Sequence, residues 1–237
     1  MDIKGMEYDF KQKLNKVDSQ QYRNLRIPEI DWSMNEAIEI FIKSIAEPRQ
    51  NNFLGFETSQ RTIDDLRTIV INDFVLSPTL EADGSYYVEI PEDYMFYISA
   101  NVTIDKLNCG PKTARAIVRQ HDDRFQDSPF DKSSYEWGEV NIRFYEKGIK
   151  IFTDSTFTVQ QLRLNYIRKH LYVHNAQDFL PTQSYTLPDG TVLTGTQNCE
   201  LPEHTHREIV DIAVLITTGN LQMPDYQIKQ AKINLNN

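Results

Sequence analysis

The chain has 237 residues, 40% hydrophobic and 25% charged, which suits one large folded domain or a domain with an arm. Its 25 basic and 34 acidic residues leave a formal net charge of −9, which argues against a general nucleic-acid binder, since those are normally basic. The same acidity fits a surface past which DNA slides without sticking, and no apolar run reaches the roughly 18 residues of a membrane-crossing helix.

The first segment, Met1-Asp2-Ile3-Lys4-Gly5-Met6-Glu7, lacks the apolar centre of a signal peptide, so synthesis in a cytoplasm is expected. Over residues 1–24, Ile3, Met6, Phe10, Leu14 and Val17 recur at helical spacing on an otherwise hydrophilic segment. A stripe that narrow cannot be buried all round, and the expectation is an N-terminal helical arm, 1–30, reaching onto a neighbouring subunit. Pro28 disfavours helix at Ile27. Ser33 and Glu36 have the spacing of a capping box, with Trp32 stapling the first turn and Met34, Ile38, Phe41, Ile42 and Ile45 on one face. That helix is expected to end by Glu47-Pro48.

Residues 49–58 read as an Asn-rich loop in which Phe53 and Phe56 are tucked under the domain or offered to a partner. A second helical pattern runs from Ser59 to Ile71 through Ile63, Leu66 and Val70. The period then changes to two. Strands are expected at 86–90, 95–104, 114–119, 140–145, 149–153, 157–159 and 162–167, with a polar loop from His121 to Ser134. Pro188-Asp189-Gly190 joins a second hairpin, 185–187 with 191–193. Pro202 opens the last helix, with Ile209, Ile212, Ala213 and Ile216 on its core face and Gly219 as its stop. The tail, 221–237, is polar. This order predicts an α+β domain, 31–220, with an antiparallel sheet or sandwich core, flanking helices and extended polar termini.

The chain contains no phosphate-binding glycine loop, no dinucleotide fingerprint, no zinc-protease helix motif and no nucleophile elbow. His204 and His206 on a helix point about 200° apart and cannot face one ion. The solvent-exposed first turn of a helix is the better reading. Asp122, Asp123, Asp127 and Asp131 lack the order of a calcium loop and read as a solvated acidic loop. Cys109 and Cys199 stand far apart with no ligand spacing around either, and are expected as unpaired thiols. Arg163, Arg168, Lys169 and His170, interleaved with Tyr166 and Tyr172, form the best basic cluster. Strand alternation puts Arg163 and Arg168 on opposite faces, so a strand with one polar face at a subunit interface is favoured over a single-strand nucleic-acid site. No catalytic, cofactor or metal residue is assigned. The candidate partner interface is Ile3, Met6, Phe10, Leu14, Val17, Phe53, Phe56, Arg163 and Arg168.

The order of several short segments resembles structural proteins of tailed bacteriophages, in particular the neck, or head-to-tail connector, ring proteins of crAss-like phages. Those segments are Trp137-Gly138, Ile149 to Asp154, Tyr166-Ile167-Arg168, and Leu201-Pro202-Glu203 through Glu208-Ile209-Val210-Asp211. Thr62-Ile63-Asp64-Asp65-Leu66 and Ile90-Pro91-Glu92-Asp93-Tyr94 extend the likeness to residues 50–220. Lys169-His170 stands where such families usually place a proline. The resemblance implies a non-enzymatic virion protein without cofactors that forms a ring of about twelve copies, matching a portal. It implies as partners copies of itself, the portal and other neck or tail rings, with genomic double-stranded DNA passing through unread. The other classes are another phage tail or cargo protein, or a β-rich carbohydrate-binding module or hydrolase with an unmarked carboxylate pair.

Overall fold

The computed structural model describes residues 1–15, 25–46, 64–120, 128, 130–220 and 230. The chain divides into two compact units. One is helical, Met1–Ile69 with His170–Asn237, and the other is a sheet, Val70–Lys169. Sequence patterning suggests a different division, an arm over 1–30, a domain over 31–220 and a tail over 221–237. Val17, Phe53, Phe56, Asp122, Asp123, Asp127, helix residues 59–63 and the tail apart from residue 230 lie outside the described residues.

In the helical unit, α1 spans Ile3–Asn15. Asp2 caps it by accepting the Gly5 N–H at 2.9 Å. Ile3, Met6 and Phe10 are buried in this chain, so α1 belongs to a core and is not a projecting arm. The narrow stripe suffices because α1 packs on the last helix and is tied to it by Lys13–Asp211 at 2.9 Å.

Helix α2 spans Ile27–Ala46, two turns longer at its start than the Ser33 cap predicted. Pro28 lies in the first turn, where a missing N–H leaves no bond unmade. The Glu29 carboxylate reaches back to accept the Arg26 N–H at 2.8 Å, half of a capping box. Ser33 is therefore interior, its hydroxyl donating to the Glu29 carbonyl at 3.0 Å, and Trp32 is exposed.

The sheet unit contains β1 Val70–Leu76, β2 Thr79–Leu80, β3 Tyr86–Glu89, β4 Tyr94–Lys106, β5 Gly110–Val118, β6 Glu139–Phe144, β7 Gly148–Phe152 and β8 Thr158–Arg168. Its order is β1-β8-β4-β5-β6-β7-β3-β2. All neighbours are antiparallel except β5 and β6, which pair in parallel from Arg115↔Glu139 to Val118↔Ile142. The fold is thus the expected α+β with flanking helices, and its sheet is mixed through that single pair.

Two expected strands, 157–159 and 162–167, are the one strand β8. Helix is present at 64–66, but Val70 opens strand β1 instead of continuing that helix. Apolar side chains alternate inward: Ala100, Val102 and Ile104 of β4, Val140 and Ile142 of β6, Ile149 and Ile151 of β7, Leu162, Leu164 and Tyr166 of β8. They form one core on the enclosed side of the curled sheet.

The rest of the helical unit comprises β9 His174–Asn175, β10 Ser184–Thr186, β11 Val192–Thr194, β12 Thr196–Gln197 and α3 His206–Asn220. The β10–β11 hairpin forms around Gly190, whose φ of +89° suits the turn. A 3-10 turn, Glu203–Thr205, precedes α3. The buried face of α3 is Ile209, Val210, Ala213, Val214, Thr217 and Thr218, with Ile212 and Ile216 only half-buried. The expected face is rotated because α3 packs against α1 and α2.

Candidate functional site

Two constellations stand out, one in each unit. In the helical unit a set of polar side chains is sealed inside. Asp31 on α2 is fully buried. Its Oδ2 accepts the Tyr185 hydroxyl at 2.7 Å and the Asn175 N–H at 3.1 Å. Its Oδ1 has no partner among the described residues.

One turn on, Asn35 donates to the Val173 carbonyl at 2.7 Å and accepts the Val173 N–H at 2.8 Å. It thus satisfies that backbone as a neighbouring strand would. Asn175 also donates to Asp178 at 3.0 Å. Glu7 on α1, 5% exposed, lies beside Asn175, with Lys11 Nζ 3.8 Å from its Oε2.

Burial sets the charge state here, because a carboxylate withdrawn from water is disfavoured. Burial pushes Glu7 up to about 7, opposed by the neighbouring Asn175 amide. It pushes Asp31 up to about 6, opposed by the Tyr185 hydroxyl and the Asn175 N–H. Burial and then the bond to Asp31 raise Tyr185 far above its ordinary value, and burial raises Tyr172 to about 12. His174 is held down by burial. Two carboxyls that prefer their protons resemble an acid–base pair, yet neither presents more than 5% of itself to solvent. A glycosidase pair must flank a substrate. This pair instead ties α1, α2 and the 173–185 segment together.

The second constellation is at the two ends of the sheet. At one end, the β4–β5 hairpin projects Leu107, 87% exposed, and the turn before β6 projects Trp137, 83% exposed. Asn108 at φ +67° and Gly110 at φ +80° shape the hairpin turn. The Tyr135 hydroxyl donates to the Gly110 carbonyl at 2.8 Å. Lys112 donates to the Tyr135 and Glu136 carbonyls at 3.2 and 3.1 Å, which fastens the Trp137 turn to the hairpin. Lys106 and Lys112 both lie 5.6 Å from the Tyr135 ring centroid.

At the other end, a groove of about 530 Å³ is lined by Ile90, Tyr94, Phe144 and Tyr145 and edged by Glu92 and Glu146. Ile90 N–H donates to the Lys147 carbonyl at 3.1 Å and Lys169 N–H to the Asp93 carbonyl at 2.7 Å. Tyr94 and Phe144 stack at 6.3 Å, and Tyr166 under them donates to Asp93 at 3.0 Å. Burial, then that bond, raises Tyr166 to about 12.

The described sequence-predicted site residues are divided between the two units. Ile3, Met6 and Phe10 are enclosed by this chain and so are not available as a docking stripe, and Leu14 is half-buried. Arg163 points outward from β8 while Arg168, near its end, donates to the Lys169 carbonyl at 3.1 Å. His204 lies 2.7 Å from Asp65, but His206 is buried against the Leu201 carbonyl at 2.9 Å, which corrects its expected exposure. Cys109 and Cys199 are both free thiols, and burial raises Cys199 to about 11. Among the described residues no group of three or more His, Cys, Asp or Glu is arranged to hold a metal, and no helix is long and apolar enough to cross a membrane.

Sequence reasoning missed Glu7, Asp31 and Tyr185. Their periodicity gave no signal, although Asp31 does fall within the buried arc of α2. No protein-family model matches the chain, and no curated protein is significantly similar to it.

Proposed function

We propose that the chain is a structural subunit of a tailed-phage virion, forming a ring in the neck between portal and tail and extending the DNA channel. The sequence resemblance motivates this reading. The observation that carries it is exposure: Leu107 on the β4–β5 hairpin and Trp137 on the turn before β6 stand almost fully in solvent, while the same unit keeps Val102, Ile104, Leu162 and Leu164 fully buried. Exposed apolar groups of this size can anchor an interaction surface. The preformed hairpins cost little ordering entropy on docking.

In this role the acidic chain meets DNA without gripping it, its charge of −9 repelling phosphates within about 8 Å at physiological salt. The partners are copies of the chain, the portal and adjacent rings. Electron microscopy of virions and of the purified chain tests the reading. The expected result is a ring of about twelve copies on the portal–tail axis. A reconstruction that places the chain away from that axis overturns it.

A further inference from the structure

We propose that Glu7, Asp31 and Asn175 form a buried site for a hard divalent cation, calcium, which pins α1 to α2 and β9. The site lies wholly in the helical unit and is independent of the ring reading above. Three side-chain oxygens carry the inference. Glu7 Oε1, Asp31 Oδ1 and Asn175 Oδ1 are each sealed from solvent and have no hydrogen-bond partner among the described residues. Glu7 is 5% exposed, and Asp31 and Asn175 are fully buried. All three residues meet at Asn175, whose N–H donates to Asp31 at 3.1 Å and whose amide lies against Glu7. Buried acceptors left without a donor are costly, and native chains satisfy nearly all of them.

Each of these groups is held by its other atom. Asp31 Oδ2 accepts the Tyr185 hydroxyl at 2.7 Å as well as the Asn175 N–H. Asn175 Nδ2 donates to Asp178 Oδ2 at 3.0 Å, and Lys4 holds the other Asp178 oxygen at 3.0 Å. An ionised carboxylate only accepts, so that bond fixes which end of the Asn175 amide is nitrogen and leaves its oxygen without a donor. Lys11 Nζ stands 3.8 Å from Glu7 Oε2, beyond hydrogen-bonding distance. Ligands oriented by a second layer of hydrogen bonds are what a metal site requires.

The donor set chooses the ion. Oxygens alone suit a hard cation, and two carboxylates balance a divalent one. Asn175 supplies the third oxygen, so no third acid or histidine is needed. The Tyr172 hydroxyl, also without a partner and near Asp31, is a fourth. Magnesium keeps several waters and demands octahedral geometry, which a sealed site denies it; calcium takes carboxylate and neutral oxygens in a flexible shell. One water donates two hydrogen bonds, which leaves one of the three oxygens unmet.

Protons are the competitor. Without a cation both carboxyls hold them, since burial pushes Glu7 up to about 7 and Asp31 to about 6. Lys11 on α1, Asp31 on α2, His174 and Asn175 on β9, Asp178 beyond it, and Tyr172 and Tyr185 are the groups that set this balance. Calcium must displace the protons, so its binding strengthens as pH rises.

Calcium chloride titrated into the full-length, chelator-treated chain tests this. At pH 8, calorimetry should show one calcium per chain, with release of protons and a dissociation constant of about 10–100 µM, the weak range expected of two carboxylates. At about 1 mM calcium the melting temperature should then rise by about 3–10 °C. The shift should vanish at pH 5, and magnesium at pH 8 should give a clearly smaller one. Glu7→Gln keeps the side chain's shape and removes one charge, so calcium affinity should fall at least about tenfold in a chain that circular dichroism shows to be folded. Glu146→Gln, which removes an exposed carboxylate of the sheet unit, should leave the affinity unchanged. Absence of binding at pH 8 overturns the proposal. So does a shift of equal size at pH 5, or binding indifferent to Glu7→Gln, either of which assigns the ion to surface carboxylates. The comparison of pH values uses the parent chain alone and decides the matter even if the variant fails to fold.

Discussion

Replacing Glu7 by glutamine should make the protein more stable at pH 8 and leave its stability almost unchanged at pH 4.5. The carboxyl sits at about 7 in the folded chain against 4.5 for a free glutamate. Between those values the folded state holds a proton that the unfolded state releases. Stability therefore falls as pH rises through the interval, because the folded state binds more protons. Each tenfold change in acidity is about 1.4 kcal/mol, so the whole displacement is worth roughly 3 kcal/mol. Asp31 acts in the same direction between 3.8 and about 6.

The charged and titratable groups around Glu7 are Lys11 on its own helix, Asp31 on α2, and Asp178 beyond Asn175. His174 on β9 works in the opposite sense: its lowered pKa means the unfolded chain gains a proton first as pH falls. Comparing Glu7→Gln with the parent at each pH cancels His174, which both proteins share, and leaves Asp31 changed only through its coupling to Glu7. At about 2–4 °C per kcal/mol for a chain of this size, the variant should melt roughly 6–12 °C higher at pH 8. Thermal melts at pH 4.5, 6 and 8 measure it. An offset that is the same at all three, or a variant that melts lower at pH 8, refutes the account of Glu7 as a buried acid held against ionisation.

Deleting residues 1–15 should unfold or strongly destabilise the helical unit, since it removes the buried Ile3, Met6 and Phe10; a truncated chain with unchanged melting refutes α1 as core. Ile209→Ala should cost about 2–5 kcal/mol in urea titration, and Ile212→Ala clearly less, because only Ile209 is fully buried. Gly148→Ala should destabilise the sheet by a clash, since a Cβ there would collide with the Tyr87 ring and the Val88 carbonyl; the melt should drop even though only a methyl is added. Tyr166→Phe should cost about 1 kcal/mol by removing the bond to Asp93, measured by the same titration.

The sheet was legible where it is half-buried. Ala100, Val102 and Ile104 alternate with polar residues, and so do the buried residues of β6 and β7, because one face of each strand meets the core. Strand β1 was not legible, for the same physical reason. It lies at the sheet edge, with Phe74 and Val75 exposed, so no clean alternation marks it. Leu66 and Val70 then read as one helical face. The start of α2 was misplaced because a proline was read as a break, although a first turn tolerates it. The parallel β5–β6 pair left no trace, since strand pattern does not record which neighbour a strand meets.

The two constellations differ in how a sequence could announce them, and that difference bears on what each does. Tyr185 reaches Asp31 across 154 residues, and no local pattern couples them. Only the folded chain brings them together, and both are then sealed from solvent, so their effect must pass through stability and pH. The tip at Leu107 and Trp137 is local: a turn with left-handed Asn108 and Gly110, and a second turn fastened by Lys112. A soluble chain that served no partner there would gain by replacing exposed leucine and tryptophan with polar residues, since neither supports its own core. The sealed network thus ties α1, α2 and the 173–185 segment of the helical unit together.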